Sequence, residues 1–308
     1  MHMNSDPTRQ ATFPVRDYDL AATLISGQAF RWNFGNNAWD GVIAGRWVRL
    51  RADGFSITAK TSVPVSDWNW LKDYLQLDLD LGRVLATFPD DEPMRASVNA
   101  CRGLRLLRQE PWECLASFIL SSTKQIVQIR QIVALLCERF GEPCSVEPVA
   151  RWDATRPDSA TGRTLQFAFP TPQRLAAASE AELRACKMGF RAPYLLGTAQ
   201  RIAEGGLELE LLRQLPVAAA RAELMALPGV GRKIADCVLL FGYGFQSAFP
   251  VDVWVVKALQ QLYFPKRRAS EKRLRHFAET HFGPNAGYAQ QYLFHYMRTK
   301  SNLSRGTK

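Results

Sequence analysis

Two patterns of apolar and polar positions divide this chain of 308 residues. Between about residues 13 and 100, short apolar runs alternate with turn residues. The runs at Ala38–Ile43, 47–51 and 55–58 predict strands, and the turn residues at 45–46 and 52–54 favour an antiparallel meander. From Glu110 onward, apolar positions recur instead at the spacing of helices.

The helical spacing predicts a largely all-α second half. Pro, Gly, Ser and Asp are frequent between 141 and 172, which predicts a long loop there. On both sides of that loop, the periodic segments predict helices at 111–120, 126–140, 173–187, 191–204, 253–263, 271–282 and 287–300.

These patterns predict an α+β protein with two domains. We expect a disordered N-terminus over 1–12 and an α+β domain with an antiparallel sheet over 13–105. A larger all-α domain is expected over 106–300, followed by a disordered basic tail over 301–308.

Charge and hydropathy limit the classes of partner. The chain has 39 Lys and Arg against 29 Asp and Glu, a net charge of +10, which favours a polyanionic partner such as DNA. No apolar run reaches the length of a bilayer span, and the N-terminus lacks the apolar core of a signal peptide. We therefore expect an intracellular protein with no membrane partner.

The cysteines and histidines do not form a metal-ligand pattern. The six cysteines are scattered without a C-x-x-C pair, which argues against a zinc knuckle and a disulfide framework. None follows Cys237, so the sequence excludes a C-terminal iron–sulfur cluster. The predicted metal set is therefore empty.

The most informative segment is a glycine-rich break between two helical patterns at about 221–241. Pro228, Gly229 and Gly231 interrupt the helical pattern, and a second helix is predicted from about Arg232. This is a helix–hairpin–helix, and the backbone amides around Val230 can point at a DNA phosphate. Lys233 and Cys237 are four residues apart and share one face of the second helix.

The hairpin segment 227–237, with Pro250-Val-Asp252-Val after it, resembles the helix–hairpin–helix DNA glycosylase superfamily. Within it, the segments 26–32, 106–111, 113–114 and 287–294 resemble the 8-oxoguanine DNA glycosylase/AP lyase family, in order from about residue 13 to 296. A glycine-rich hairpin alone is weak evidence, since ligases and polymerases have it too. The resemblance implies an N-terminal sheet domain like that of the TATA-binding protein, followed by the helical glycosylase domain.

The resemblance implies that Lys233 and Asp252 are catalytic. An amine attacks the sugar C1′ only in its neutral form, and apolar neighbours and the positive end of a helix both favour that form of Lys233. Such attack expels the base and leaves a Schiff base, from which β-elimination breaks the strand. Asp252 lies where a helix N-cap belongs, and a carboxylate there can also stabilise the cationic sugar.

The resemblance also implies a pocket for the damaged base. It assigns the carbonyl of Gly27 to the N7–H of 8-oxoguanine, Phe294 and Cys237 to the two faces of the base, and Gln290 to its Watson–Crick edge. Gln290 and Phe294 are four residues apart, so one helical face presents both. Taken alone, segment 26–32 could equally be a strand entrance, and Phe294 an ordinary core aromatic.

The chain departs from the family where DNA opposite the lesion is expected. Thr123, Lys124 and Gln125 replace an Asn-rich turn, and Gln128 stands where an Arg is usual. Phe190 replaces a Tyr at the wedge position, and Trp254 replaces a common His. Arg191 keeps one of two expected arginines, so we predict retained lesion recognition with relaxed selectivity for the opposite base.

The expected partner is therefore double-stranded DNA containing oxidised guanine. The resemblance implies no required cofactor and allows a structural monovalent or calcium ion at the hairpin carbonyls. A monomer, in a bacterial cytoplasm and nucleoid rather than a nucleus, is the expected form and place.

Two alternatives stay open at the level of sequence. The first is a glycosylase for another oxidised or alkylated base, although alkylpurine enzymes lack the lysine. The second is a DNA-binding helix–hairpin–helix module without catalysis, in which Lys233 would have no chemical function.

Overall fold

The computed structural model describes residues 7–122, 124–144, 166–266 and 268–303. The N-terminal part contains one antiparallel sheet with strand order β1-β5-β4-β3-β2. Its strands are β1 (Thr8–Pro14), β2 (Asn33–Gly35), β3 (Ala38–Ile43), β4 (Arg46–Ala52) and β5 (Ser56–Val65).

The predicted meander is confirmed, but the predicted disordered N-terminus is wrong from Thr8 onward. Residues Thr8–Pro14 pair with β5 as an edge strand. Only Phe13 of this strand is buried, so the strand lacks the apolar alternation by which a sequence reveals a half-buried strand.

Four helices complete the N-terminal part. Leu24, Leu71 and Leu75 pack on the sheet residues Leu50 and Ile57 to form its core. The helices are α1 (Leu20–Ile25), α2 (Asn69–Leu75), α3 (Leu81–Leu85) and α4 (Glu92–Ala100).

An extended segment, residues 103–109, joins this part to the helices that follow. It crosses the interior, and its backbone groups bond to several different elements: Asp19 N donates to the Gly103 carbonyl over 2.9 Å, and Gln109 N donates to the Phe241 carbonyl over 2.8 Å. We refer to residues 103–109 as the connecting segment.

The remainder is helical, as predicted. The predicted helix over 173–187 is two short helices, because Ser179 caps the second one and ends the first. The helices are α5 (Pro111–Leu120), α6 (Ile126–Phe140), α7 (Pro172–Ala176), α8 (Glu180–Ala185), α9 (Ala192–Ala203), α10 (Val217–Met225), α11 (Arg232–Val238), α12 (Val253–Leu262), α13 (Glu271–His281) and α14 (Ala286–Leu303).

Two boundary predictions need correction. The predicted loop at 141–172 begins and ends in a two-stranded ladder, β6 (Pro143–Cys144) with β7 (Gln166–Phe167), and residues 145–165 lie outside the described part. Helix α14 continues through residues 301–303, which were predicted as disordered tail; residues 304–308 are outside the described part.

One large core unites the helices. It includes Trp112, Phe118, Phe241, Phe282 and Tyr292, while all six cysteines are buried thiols. Across the described ranges, no helix is long and apolar enough to cross a membrane.

Candidate active site

The hairpin has the predicted shape, with α10 ending at Met225 and α11 beginning at Arg232. Gly229 adopts φ +73°, and a Cβ there would lie 2.6 Å from Tyr194 Cβ, so only glycine fits. Gly231 differs from expectation: its φ is −86°, within the ordinary range, and a Cβ there would meet no atom within 4 Å. Because Gly231 has no side chain, the backbone of the hairpin stays accessible from this side.

An ion pair holds the two helices of the hairpin together. Arg221 Nε on α10 lies 2.6 Å from Asp236 Oδ1 on α11, and the Asp236 side chain is only 4% exposed. Burial raises the pKa of Asp236, and the Arg221 guanidinium opposes that rise. Removing the arginine would leave a buried charge, so this pair fixes the angle at which α11 presents Lys233.

Lys233 lies on the first turn of α11 and is half-buried. Its Nζ donates to Ser121 Oγ over 3.2 Å and lies 5.3 Å from the centre of the Phe118 ring. Both contacts come from the end of α5, so a helix distant in sequence holds the amine in place. The amine thus has an aromatic ring and a hydroxyl as direct neighbours.

Asp252 is the N-cap of α12, as predicted. Its Oδ1 accepts from Trp254 N over 3.0 Å and from Val255 N over 2.8 Å. Burial raises the pKa of Asp252, whereas the Val255 amide, the Lys233 charge and the Trp254 amide act to lower it. The net direction is upward, so burial outweighs the combined effect of the two amides and the lysine charge.

Cys237 lies in the same electrostatic neighbourhood. Burial raises the pKa of its thiol to about 12; Lys233 opposes this rise and Asp252 adds to it. The thiol is therefore protonated at neutral pH and is a small apolar surface beside the lysine and the carboxylate. The structure thus brings Lys233, Cys237 and Asp252 together.

Gly27 lies in a turn after α1 rather than at a strand entrance, with φ +87°. A Cβ there would lie 2.9 Å from Ile126 Cδ1, 3.0 Å from Arg298 Nη1 and 3.3 Å from Phe294 Cε1. A side chain at residue 27 would therefore collide with these three residues, which pack directly against the turn. Gly27 and Phe294, far apart in sequence, are confirmed as neighbours.

Gln28 fixes the turn that carries Gly27. Its fully buried side chain donates Nε2 to the carbonyls of Thr23 and Arg105 over 2.9 and 2.8 Å, and its Oε1 accepts from Leu107 N over 2.8 Å. The Gln28 carbonyl in turn accepts from Gln109 Nε2 over 2.7 Å. The turn is thereby tied to the connecting segment by bonds that water cannot replace.

Helix α14 carries two functional faces. Tyr288 and Tyr292 are fully buried, and their hydroxyls bond to Leu106 N and the Leu104 carbonyl over 3.1 and 3.0 Å. The opposite face carries Gln290 and Phe294, and Phe294 lies against the turn of Gly27. Gln290 is buried, and within the described residues its Oε1 has no hydrogen-bond partner.

The turn between α5 and α6 links the two groups of residues. Ser121, at its start, contacts Lys233, and Ile126, at its end, borders Gly27. The lysine and the Gly27 space are therefore on opposite ends of one short turn. Of the residues predicted to contact DNA here, Lys124 is half-buried and Thr123 lies outside the described residues.

Phe190, at the wedge position, and the adjacent Arg191 differ in their exposure to solvent. Phe190 is 54% exposed and is the central residue of a short 3₁₀ turn, Gly189–Arg191. Arg191 is buried instead: its guanidinium lies 4.2 Å from the centre of the Phe190 ring, and its Nη1 donates to the Met188 carbonyl over 3.3 Å. The aromatic ring, rather than the arginine, is the group presented at the surface.

Two other departures from the family pattern have visible consequences. Gln128 is exposed, and its Oε1 accepts from Gln125 N over 3.1 Å at the start of α6. Trp254 is half-buried with Lys257 Nζ 5.3 Å from the centre of its ring. In the described part of the chain, no three His, Cys, Asp or Glu residues gather as a metal site.

Comparison with known proteins identifies this arrangement. Residues 11–115 match the family model of the 8-oxoguanine DNA glycosylase N-terminal domain. Residues 116–284 match that of the HhH-GPD superfamily of base excision DNA repair proteins. The chain belongs to the 8-oxoguanine DNA glycosylase family. It is thus a DNA N-glycosylase/lyase of base excision repair, with the α+β fold predicted.

Relatives of this family cover nearly the whole chain. N-glycosylase/DNA lyase OGG1 of Arabidopsis thaliana is 30% identical over 92% of this chain and 79% of its own length. The 8-oxoguanine glycosylase/lyase of Clostridium acetobutylicum, solved with double-stranded DNA containing cytosine opposite 8-oxoguanine, is 31% identical. Its TM-score is 0.84, covering 94% of this chain and 98% of that one.

A more distant likeness shows the fold alone. The 3-methyladenine DNA glycosylase of Archaeoglobus fulgidus is 22% identical with a TM-score of 0.73.

The sequence analysis did not identify the residues whose hydrogen bonds and ion pairs position the predicted site residues. Gln28, Ser121, Arg221 and Asp236 have ordinary local surroundings in the sequence, and their partners are distant. The one signal that the sequence offers for Gln28 is its place directly after Gly27 in the segment 26–32.

Replacing Gln28 with leucine tests its role in holding the turn. The change keeps the size of the side chain but leaves Leu107 N and two carbonyls without their partners, at about 1–3 kcal/mol for each buried group. We expect Gln28→Leu to lower the free energy of urea unfolding by at least about 2 kcal/mol. Gln173→Leu, on the exposed side of α7, should change it by less than about 0.5 kcal/mol. Equal stabilities for the two variants would contradict the assignment.

Proposed function

We propose that the protein excises 8-oxoguanine and related oxidised purines from duplex DNA and then cleaves the strand as a lyase, with Lys233 as nucleophile and Asp252 as its partner. One observation carries this proposal: two side chains of α11 and the N-cap residue of α12 lie close together. Lys233, Cys237 and Asp252 meet beside the hairpin, and the Ser121–Ile126 turn connects them to the space at Gly27 and Phe294.

Lesion recognition precedes the chemistry. A duplex hides the reacting atoms, so the nucleotide must leave the stack, which costs a few kcal/mol. The exposed Phe190 ring is suited to enter the gap that remains, and the amides around Gly229 and Gly231 are suited to hold a phosphate of the strand. These contacts do not depend on sequence, as a repair enzyme requires.

The pocket distinguishes the lesion from guanine by one donor. 8-Oxoguanine has a hydrogen on N7, whereas guanine has a lone pair there. The Gly27 carbonyl accepts from that hydrogen and would repel the lone pair, and a buried mismatch of this kind discriminates strongly. Phe294 and Cys237 cover the two faces of the base, and the unpartnered amide of Gln290 reads the Watson–Crick edge.

Bond cleavage follows from the position of the amine. The neutral Lys233 amine attacks C1′, a C–N bond forms, and the electrons of the N-glycosidic bond leave with the base. As positive charge develops on the sugar, the Asp252 carboxylate stabilises it. The C1′ adduct opens to a protonated Schiff base, which acidifies the protons on C2′. Loss of one such proton expels the 3′ phosphate oxygen and breaks the strand.

The protein offers fewer contacts to a cytosine opposite the lesion than the family pattern would. Gln128 uses its carbonyl oxygen within its own helix, and a glutamine cannot present the planar fork of donors that an arginine would offer to cytosine. Arg191 is buried against Phe190. We therefore propose that the enzyme tolerates bases other than cytosine opposite the lesion.

The hairpin carbonyls are also proposed to accommodate a monovalent or calcium ion. The carbonyls of Ala226 and Pro228 accept from Arg201 Nη1 and Thr198 Oγ1 over 3.0 and 3.1 Å, so these two are already engaged. An ion would have to use the other carbonyls of the hairpin, and its contribution would be structural.

Trapping with borohydride tests the role of Lys233. Reduction of the Schiff base should link the protein covalently to a duplex containing 8-oxoguanine. Lys233→Gln should abolish the adduct and retain lesion binding, while Lys272→Gln, an exposed lysine on α13, should form the adduct normally. Absence of the adduct in the unmodified protein would exclude the lyase, and loss of binding in Lys233→Gln would make the lysine structural.

The pH dependence of excision tests Asp252. The active form is the carboxylate, and burial raises its pKa, so the single-turnover rate should fall with decreasing pH at a higher pH than an ordinary carboxyl would cause. Asp252→Asn keeps a cap acceptor but no charge, and should lower the rate at least about a hundredfold, ~2.7 kcal/mol. It should also change the shape of the acid limb, leaving only the part that comes from protonation of the Lys233 amine. Asp80→Asn, which alters the exposed N-cap of α3, should leave rate and profile unchanged; an Asp252→Asn profile with the same rate and the same shape as that of the unmodified protein would refute the assignment.

Excision opposite each normal base tests the incomplete cytosine contact. Rates opposite A, G and T should come within about tenfold of the rate opposite C, ~1.4 kcal/mol. Gln128→Arg should increase the preference for C because it supplies the fork, whereas Gln131→Arg, also exposed on α6, should not. A thousandfold preference for C in the unmodified protein would contradict the proposal.

A further inference from the structure

The face of α14 that borders the pocket continues beyond Gln290 and Phe294. Arg298 is four residues further on, so Gln290, Phe294 and Arg298 form one row on the helix. Eight residues of helix span about 12 Å, enough to reach from one end of a purine to the other. If Gln290 contacts the six-membered ring and Phe294 the face of the base, as proposed above, this row brings Arg298 to the end of the five-membered ring.

The guanidinium of Arg298 is held at this place. Its Nη2 donates to the Ile25 carbonyl over 2.6 Å, at the last residue of α1, two residues before Gly27. Its central carbon lies 5.7 Å from the centre of the Phe294 ring. One hydrogen bond and one ring contact therefore orient the group on the base-binding side of Gly27.

The other terminal nitrogen, Nη1, lies beside Gly27. Arg298 Nη1 is buried and, within the described residues, has no hydrogen-bond acceptor, and it lies 3.0 Å from the position of a Gly27 Cβ. Buried donors in native proteins almost always have an acceptor. A charged donor left without one is costly, so the site favours a ligand that brings an acceptor to this corner.

The neighbouring histidine does not supply that acceptor or compete as a cation. His295 Nδ1 is likewise buried without a partner in the described structure. Burial, together with the neighbouring Arg298 charge, lowers the pKa of His295 to about 4, so the ring is neutral at physiological pH. The positive charge in this corner belongs to the guanidinium, which stays protonated in proteins.

We infer that Arg298 is a specificity residue that donates a hydrogen bond from Nη1 to the O8 oxygen of the oxidised purine. This inference rests on the proposed function. O8 is at the end of the five-membered ring, next to the N7–H that Gly27 accepts, and guanine lacks it. The enzyme then reads both atoms that oxidation adds to guanine, the hydrogen on N7 through a carbonyl and the oxygen on C8 through a guanidinium.

Two duplex probes separate the contact with O8 from the contact with N7–H. One contains 8-oxoguanine; the other contains 9-deazaguanine, which has the N7–H donor but no O8 and no cleavable N-glycosidic bond. Binding of each is measured in the Lys233→Gln background, so that neither probe is cleaved. In this background the protein should bind 8-oxoguanine at least about tenfold more tightly than 9-deazaguanine, as expected for one hydrogen bond from a charged donor.

Arg298→Met keeps the apolar stem and removes the donors. It should abolish the preference for 8-oxoguanine by weakening that complex alone, with 9-deazaguanine binding unchanged. Lys300→Met removes a positive charge from the same helix, where the amine lies 5.6 Å from the centre of the Tyr296 ring, and should retain the preference. The double comparison isolates the contact between Arg298 and O8.

The other outcomes overturn the inference in distinguishable ways. Equal weakening of both probes by Arg298→Met would show that the residue contacts phosphate or only supports the Gly27 turn. An unchanged preference would show that O8 is not its ligand. If the background protein binds 8-oxoguanine no better than guanine, the proposed function itself fails.

Discussion

The requirement that buried backbone groups be hydrogen-bonded organises this enzyme around the connecting segment. Residues 103–109 run through the interior, where each unpaired amide or carbonyl would cost free energy. Their partners come from every part that forms the site: Gln28 beside Gly27, Tyr288 and Tyr292 on α14, and Phe241 just after α11. The segment thus sets the relative positions of the turn, the pocket helix and the lysine helix.

Burial also controls the electrostatics of the catalytic residues. Desolvation raises the pKa of both Asp252 and Cys237, and the charge of Lys233 opposes the rise in each. The same surroundings therefore keep the Cys237 thiol neutral and make the pKa of Asp252 depend on the charge of Lys233. A capping aspartate on an exposed helix would be neither desolvated nor near such a lysine, so the N-cap position alone does not distinguish Asp252 from other helix caps.

Regular elements with a strong periodic pattern were predictable, and irregular ones were not. The helices from α5 onward and the central strands have apolar positions at the right spacing, because each buries one face. The edge strand β1 buries only Phe13, and α1 has six residues, so neither carries enough pattern to be recognised. The split between α7 and α8 was missed because the apolar period continues across the Ser179 cap.

Local chemistry in the sequence was sufficient for the hairpin, for the lysine four residues before Cys237 and for the capping role of Asp252, since these depend on neighbours along the chain. Family resemblance added the remote residues Gly27, Gln290 and Phe294. The tertiary structure alone decided what surrounds them: the Gln28 bonds, the Ser121 hydroxyl at Lys233, the burial of Arg191 and the position of Arg298 against Gly27. The physical reason is that hydrogen bonds and desolvation depend on which groups meet in space. Partners that are 77 to 273 residues apart leave no mark on the local sequence pattern of either one.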